Sequence, residues 1–301
     1  MKQFLTIFTP TYNRAHTLLR VYESLYAQSC KAFVWLVVDD GSTDNTRALV
    51  KQWIKTTTDF EIQYIYQENG GMHVAHNTAY EAIKTELNLC LDSDDRLCAD
   101  AVEQIWIAWK TVKGNGYAGL IGLDCEMHTG KVIGKGFPPG LTETTLGGYY
   151  AAGGIGDKKL VYRTDVMRSV PPYPVFPGEH YMGLAYKYIL VDQYYKLAVL
   201  DHVLCEVDYQ PDGSTHSMWK QYAENPKGFA CLRKTAMTFP TSRKRLLRDT
   251  IHYCANSRMA HDPQYVKESP RRLLTLLCTI PGMLEELYIL WKNRRSVKRK
   301  F

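Results

Sequence analysis

Phe33-Val34-Trp35-Leu36-Val37-Val38-Asp39-Asp40-Gly41-Ser42-Thr43-Asp44 sets six consecutive apolar residues directly against a carboxylate pair, a glycine and short polar side chains. Six apolar residues in a row leave no solvent-facing side, as in a strand covered on both faces within a parallel sheet. The polar residues that follow form a loop at the strand's carboxyl end. Phe4–Phe8, running into Thr9–Arg14, and Leu87–Leu91, running into Asp92–Asp95, repeat the arrangement; Glu61–Tyr66 and Ala118–Leu123 read as further strands. Between them apolar residues recur at helical spacing: Leu18, Tyr22 and Leu25, then Ala75, Ala79 and Ile83, then Val102, Ile105 and Trp109. Alternating strands and helices over residues 1–125 predict an α/β fold with a mostly parallel sheet, whose ligands bind at the carboxyl ends of the strands.

The three loops at that edge carry distinct chemistry. Asp92-Ser93-Asp94-Asp95 places three carboxylates together, which repel one another unless a hard cation or basic ligand neutralises them. Mg2+ and Mn2+ suit such a loop, because they bind one or two protein carboxylates plus phosphate oxygens. The same loop also reads as an Asp-rich turn capping the next helix. A carboxylate at Asp39 or Asp40 can accept the imide N–H of uracil, and Gly41 admits close approach of backbone to ligand, while Ser42, Thr43 and Asp44 suit a helix cap. Thr9-Pro10-Thr11-Tyr12-Asn13-Arg14 offers an aromatic face for a base and a cation for phosphate.

Taken in order, Thr9–Arg14, Val37–Asp44, Glu68-Asn69-Gly70-Gly71 with Ala75 and Asn77, and Leu91–Asp95 resemble the nucleotide-sugar half of family 2 glycosyltransferases with the GT-A fold. The resemblance covers about the first 125 residues. Beyond them Gly178-Glu179 and the stretch from Tyr209 to Ser214 are similar, more loosely, to bacterial members that build capsule, exopolysaccharide or lipopolysaccharide chains. It implies a Rossmann-like nucleotide-sugar domain with a C-terminal helical extension, and a sugar-nucleotide donor, commonly a UDP-sugar. Thr9, Pro10, Tyr12, Arg14, Asp39, Asp40, Asn69, Gly71, Asn77, Asp92 and Ser93 would line the donor site, and Asp94 would ligate Mn2+ or Mg2+ against the diphosphate. His216 would be a further metal or diphosphate ligand, if it is not a solvent-exposed loop histidine. An inverting member needs a carboxylate base on the acceptor hydroxyl. The family shows an acidic pair where this chain has Glu179-His180; Glu179 is the candidate, Asp192 the alternate, and helix capping the competing role for Glu179. The Gln-x-x-Arg-Trp sequence of processive relatives is absent, so one sugar per binding event is expected.

Length and charge set the remaining expectations. At 301 residues, 45% hydrophobic and 23% charged, the chain falls outside the disordered and collagen-like classes. Net charge is +6, yet residues 243–301 hold 14 Lys and Arg against 5 Asp and Glu, leaving residues 1–242 at −3. Nucleic acid is therefore not the expected partner, since the body lacks a basic surface. In the tail Leu284, Leu287, Tyr288 and Trp291 precede Lys292, Arg294, Arg295 and Lys298, a stripe and basic end that suit an anionic cytoplasmic leaflet or, alternatively, a packed core helix. The segments expected are 1–125 for the nucleotide-sugar half, 126–242 for the acceptor-binding half with a mobile glycine-rich loop at 126–157, and 243–301 for the basic helical tail. Eight scattered cysteines without metal spacing, and an amino terminus without a signal-peptide pattern, point to the reduced cytoplasm, and the basic tail to a peripheral place on the inner membrane face. The acceptor expected is a glycan or a polyprenyl-diphosphate-linked glycan. A sugar nucleotidyltransferase, or a nucleotide-binding homologue without catalysis, are the alternatives.

Overall fold

The computed structural model describes residues 2–208 and 218–298. Contacts group the chain into two compact units, Met1–Pro172 with Leu190–Tyr209, and Tyr173–Ile189 with Gln210–Phe301.

The first unit begins with β1 (Leu5–Thr11), α1 (Ala15–Tyr26), β2 (Phe33–Asp40), α2 (Thr46–Thr56), β3 (Glu61–Gln67), α3 (Met72–Ala82) and β4 (Leu87–Cys90). It continues with β5 (Arg96–Leu97), α4 (Ala101–Val112), β6 (Gly119–Glu126), β7 (Glu143–Thr144), α5 (Leu146–Ala151), β8 (Lys158–Arg163) and α6 (Thr164–Ser169). After α7 (Ala185–Val191) it closes with β9 (Leu197–Val207). Among the described residues the strands form one sheet ordered β3-β2-β1-β4-β8-β6-β9-β5, with β7 on β9. The long ladders β1·β2, β2·β3 and β6·β9 are parallel, as is β1·β4, and antiparallel pairing is confined to β8 and the two-residue strands β5 and β7.

Every residue of β1 and β2 is buried, because helices cover both faces. On one face Tyr22 stacks on Trp53 at 4.5 Å, with Trp35 5.7 Å from Trp53 and Phe33 4.8 Å from Phe60. On the other Phe8 meets His76 edge-on at 5.0 Å. The His73-x-x-His76 pair, whose sequence reads as surface or pocket edge, is 2% and 0% exposed and belongs to this packing. Successive crossovers carry the chain from β1 outward to β2 and β3, and the next brings β4 back to the opposite side of β1. The crevice of an open α/β sheet forms at such a divergence.

The glycine-rich 126–157 segment is tied down rather than open. Lys158 Nζ lies 3.0–3.4 Å from the carbonyls of Ile133, Ile155, Gly156 and Asp157, and Tyr149 Oη donates to the Lys135 carbonyl at 2.8 Å. Glycine is needed at 134 and 156, both at positive φ, because a Cβ on either would sit 2.2–2.3 Å from a carbonyl oxygen of the facing turn.

The second unit contains α8 (Met218–Glu224), α9 (Pro226–Thr238), α10 (Arg243–Met259), α11 (Tyr265–Glu268), α12 (Arg272–Leu277) and α13 (Thr279–Lys298). Arg233 pairs with Asp249 at 2.9 Å and Arg258 with Glu286 at 2.7 Å, joining α10 to α9 and α13. Gly282 lies against α10 so closely that a Cβ would be 2.4 Å from that of Cys254. Pro281 stands in the first turn of α13, where its missing N–H breaks no helical bond.

Candidate active site

Parallel register brings the candidate residues to one edge of the first unit. Thr11 is opposite Asp39, Asp39 opposite Tyr66, and Asp40 opposite Gln67; on the other side of β1, Phe8 is opposite Cys90, two residues before Asp92. The loops after β1, β2, β3 and β4 therefore leave the sheet side by side.

Each loop is held by side chains of another. Asp39 is fully buried; its Oδ1 accepts from Ser42 N at 2.8 Å and its Oδ2 from Tyr64 Oη at 2.6 Å. Burial, then the Asp39 contact, pushes the Tyr64 phenol well above its ordinary value. Asp40 accepts from Gln67 Nε2 at 2.6 Å, Gly70 N at 3.0 Å and Gly71 N at 2.8 Å, and its carbonyl accepts from Asn69 Nδ2 at 2.8 Å. Asn69 and Gly71 are thus placed by Asp40, and Gly71, at φ 93°, opens α3, which carries Asn77. Asp44 accepts from Ala15 N at 3.0 Å and from Thr46 N at 3.0 Å, which caps α1 and α2 together. Asn13, at φ 53°, accepts from Thr43 N at 2.8 Å. Gly41 has φ 88°, and a Cβ there would come 2.8 Å from Asn69 N.

Thr9 and Pro10 are buried in β1, and the Thr9 hydroxyl accepts from Trp35 Nε1 at 3.0 Å, so that side chain serves the core. Tyr12, by contrast, presents a ring that is 50% exposed at the sheet edge, and Tyr66 another at 49%. In the loop after β4, Ser93 and Asp95 are buried while Asp92 and Asp94 are partly open. Burial first, and then Asp92, raise the Asp94 carboxyl above its ordinary value, with the Arg14 charge pulling the other way. Arg14 and Asp94 therefore sense each other across the mouth of the crevice.

Four residues that the sequence did not single out anchor this loop. Arg20 Nη1 donates to the Asp94 carbonyl at 2.8 Å and pairs with Asp208 at 2.7 Å. Lys159, buried at the start of β8, lies 4.0 Å from Asp95 and 3.9 Å from Asp124. Burial pushes both acids up, Asp124 to about 6, while Lys159 is held well above its ordinary value by the carboxylates around it. In the sequence Lys159 directly precedes Leu160-Val161-Tyr162, and Asp124 directly follows the run 118–123. A charge abutting an apolar run was the available signal.

Glu179 belongs to the second unit. Its Oε1 accepts from Lys227 N at 2.9 Å and its Oε2 from Gly228 N at 2.8 Å, which caps α9 behind Pro226. Asp192, in the first unit, accepts from Leu146 N at 3.2 Å and Gly147 N at 2.7 Å, and burial raises it to about 6. His216 and the stretch from Tyr209 to Ser214 lie outside the described residues.

Residues 6–121, which span this crevice, match the family described as Glycosyl transferase family 2. Over these residues the chain is similar to family 2 glycosyltransferase domains. A putative teichuronic acid biosynthesis glycosyltransferase of Bacillus subtilis, TuaG, is 33% identical over 103 residues, covering 34% of this chain and 40% of that protein. The glycosyltransferase GlyA of Streptococcus pneumoniae is 33% identical over 102 residues, 34% of this chain but 14% of that protein. The chain thus aligns with well under half of these relatives' own length. Among solved structures, S. aureus TarS 1-349 in complex with UDP-GlcNAc superposes with TM-score 0.58 at 16% identity, covering 98% of this chain and 92% of that one. The mannosyltransferase PcManGT of Pyrobaculum calidifontis, in complex with GDP-Man and Mn2+, gives 0.55 at 16% identity over 96% and 88%. These likenesses establish the GT-A fold with its C-terminal helical region.

The donor set of the loop after β4 fits a hard divalent cation. Among the described residues no three or more His, Cys, Asp and Glu are arranged to hold a metal by themselves. Asp92 and Asp94 instead provide two partly open carboxylates beside each other, and Asp94 is raised by burial and then by Asp92. That suits Mg2+ or Mn2+, which draws its other ligands from water and phosphate, rather than a metal needing an all-protein cage.

Proposed function

We propose that the chain transfers one sugar from a nucleotide-sugar donor, a UDP-sugar in the first instance, to a glycan or polyprenyl-diphosphate-linked glycan during assembly of bacterial cell-surface polysaccharide. The observation that carries the reading is the convergence, on one sheet edge, of the Tyr12 ring, the Asp39 carboxylate and the Asp92/Asp94 pair. Tyr12 stacks on the base, and Asp39, fully buried against Ser42 and Tyr64, takes its imide N–H once donor binding shifts the loop after β2 to expose it. Arg14 faces the phosphates. Asp92 and Asp94 hold Mn2+ or Mg2+ against the diphosphate. The ion, when bound, stabilises as a Lewis acid the negative charge that gathers on the departing diphosphate.

Inversion requires a base on the acceptor side. Glu179 is assigned to it, with Asp192 as alternate; burial holds Asp192 near the pKa a base needs at neutral pH. His216 is kept as a further ligand of the metal or diphosphate. The reaction belongs in the cytoplasm, at the inner membrane face where a lipid-linked acceptor lies; no helix among the described residues is long and apolar enough to cross a membrane.

Nucleoside diphosphate release from a panel of donors, with and without chelator, tests the reading. Release from one donor, abolished by chelator, is expected. Binding of UDP without turnover of any donor points instead to a nucleotide-binding homologue, and pyrophosphate formed from a sugar phosphate and a nucleoside triphosphate to a nucleotidyltransferase.

A further inference from the structure

On α12 and α13 most of the large apolar residues face outward. Leu273, Leu277, Ile280, Leu284, Leu287 and Trp291 recur at helical spacing and are between 44% and 73% exposed. Much of the side turned to α10 is small or polar: Thr275, Cys278 and Gly282 are buried there, Glu286 pairs with Arg258, and Glu285 lies 3.6 Å from His252, with Ile289 a large apolar residue buried one turn on. Isolated exposed leucines are ordinary in soluble proteins, but a continuous apolar stripe along two successive helices marks an interaction surface.

The charge around the stripe identifies what it meets. From Ser269 to Lys298 the sequence has six Lys and Arg and two acids; Glu286 pairs with Arg258 of α10, and Glu285 lies 3.6 Å from His252 on the same side, away from the stripe. Arg271, Arg272, Arg294 and Arg295 are exposed at the two ends of the stripe. Lys292 lies over the rings of Tyr288 and Trp291 at 5.4 and 5.5 Å, and the Arg295 guanidinium is 4.1 Å from the Trp291 ring. Apolar residues in the middle, aromatic rings at the edge and basic groups beside them match the layering of a bilayer interface, acyl chains first and anionic headgroups next. A second copy of the chain fits less well, because a two-fold pairing through this face sets one basic rim against another.

We propose that α12 and α13 lie in the plane of an anionic membrane surface, with Leu273, Leu277, Ile280, Leu284 and Leu287 in the acyl boundary and the flanking arginines on lipid phosphates. The proposal deepens the membrane-side placement given under Proposed function, and it stands on the exposed face independently of sugar transfer. The test is flotation of the purified full chain with vesicles of phosphatidylcholine alone or with about one third phosphatidylglycerol. Recovery is expected to be at least about fivefold higher with the anionic vesicles. L277E/L284E is expected to reduce it by about tenfold, and R294E/R295E to bring it to the neutral-vesicle level. These side chains are exposed, so thermal melting of both variants is expected to match the parent. Equal recovery of parent and both variants overturns the proposal. So does light scattering that shows a dimer converted to monomer by L277E/L284E while flotation stays unchanged. Donor hydrolysis measured without vesicles reports on the transfer reading alone, so failure of either is recognised separately.

Discussion

Asp94 is held at a cost that the fold does not recover by itself, since burial and Asp92 both disfavour its charge. Asp94→Asn is therefore expected to leave the melting temperature unchanged or slightly raised, while donor turnover falls by about two orders of magnitude or more, as for loss of a group that stabilises transition-state charge. Lys159 behaves in the opposite sense. Removing the one ammonium between Asp95 and Asp124, as in Lys159→Met, is expected to destabilise the protein by about 3–5 kcal/mol in denaturant titration, because it leaves buried carboxylates without a cation. Asp192 gives a pH signature. Its folded pKa of about 6 exceeds the unfolded value, so the folded state binds the extra proton: stability is greatest below the unfolded pKa and is lost as pH rises through about 6. Asp192→Asn is expected to flatten that part of the profile, removing no more than about 3 kcal/mol of change between pH 4 and 7. His252, lowered to about 4 chiefly by burial, acts in reverse. Its contribution is present above the unfolded pKa of about 6.5 and is lost as pH falls through about 4.

At the scale of elements, α9 shows how a cap and a base can be told apart. Glu179 accepts two first-turn N–H groups, so Glu179→Ala is expected to lose about 1 kcal/mol of stability through the cap alone. Glu179→Gln keeps an acceptor on the helix but cannot take a proton. A drop in turnover of about 100-fold or more in the Gln variant, with near-parental melting, supports the base; parental turnover assigns Glu179 to the cap only. The elements themselves were unevenly legible. β2 is mostly a run of apolar residues, β1, β4 and β6 are mostly apolar, and β3 alternates polar with apolar; all five fall close to where the sequence puts them. β9 escaped because Asp201 and His202 interrupt its apolar run, at a place where its register against β6 is itself irregular. The carboxylates of the site could be located from sequence, but their partners could not. Tyr64, Gln67, Arg20, Lys159 and Asp208 reach them from other strands and helices, and contacts so distant along the chain leave no local pattern.

For the whole molecule, the charge partition read from the sequence acquires a place in the structure. The excess of Lys and Arg after residue 242 lies on α10, α12 and α13, and the last two of these present leucines as well as arginines to solvent. The order of assembly follows from β9. The chain leaves the first unit after Pro172, contributes Tyr173–Ile189 to the second, and returns at Leu190 to supply the strand on which β5, β6 and β7 all pair. A fragment ending at Pro172 is expected to melt lower and exchange amide hydrogens faster in β6 than the full chain, because β6 is left with one neighbour. On the ribosome the sheet stays open until the codons for Leu197–Val207 have been read and that segment has cleared the exit tunnel. The candidate site edge, built by the first third of the chain, rests on a scaffold whose completion is the later event in synthesis.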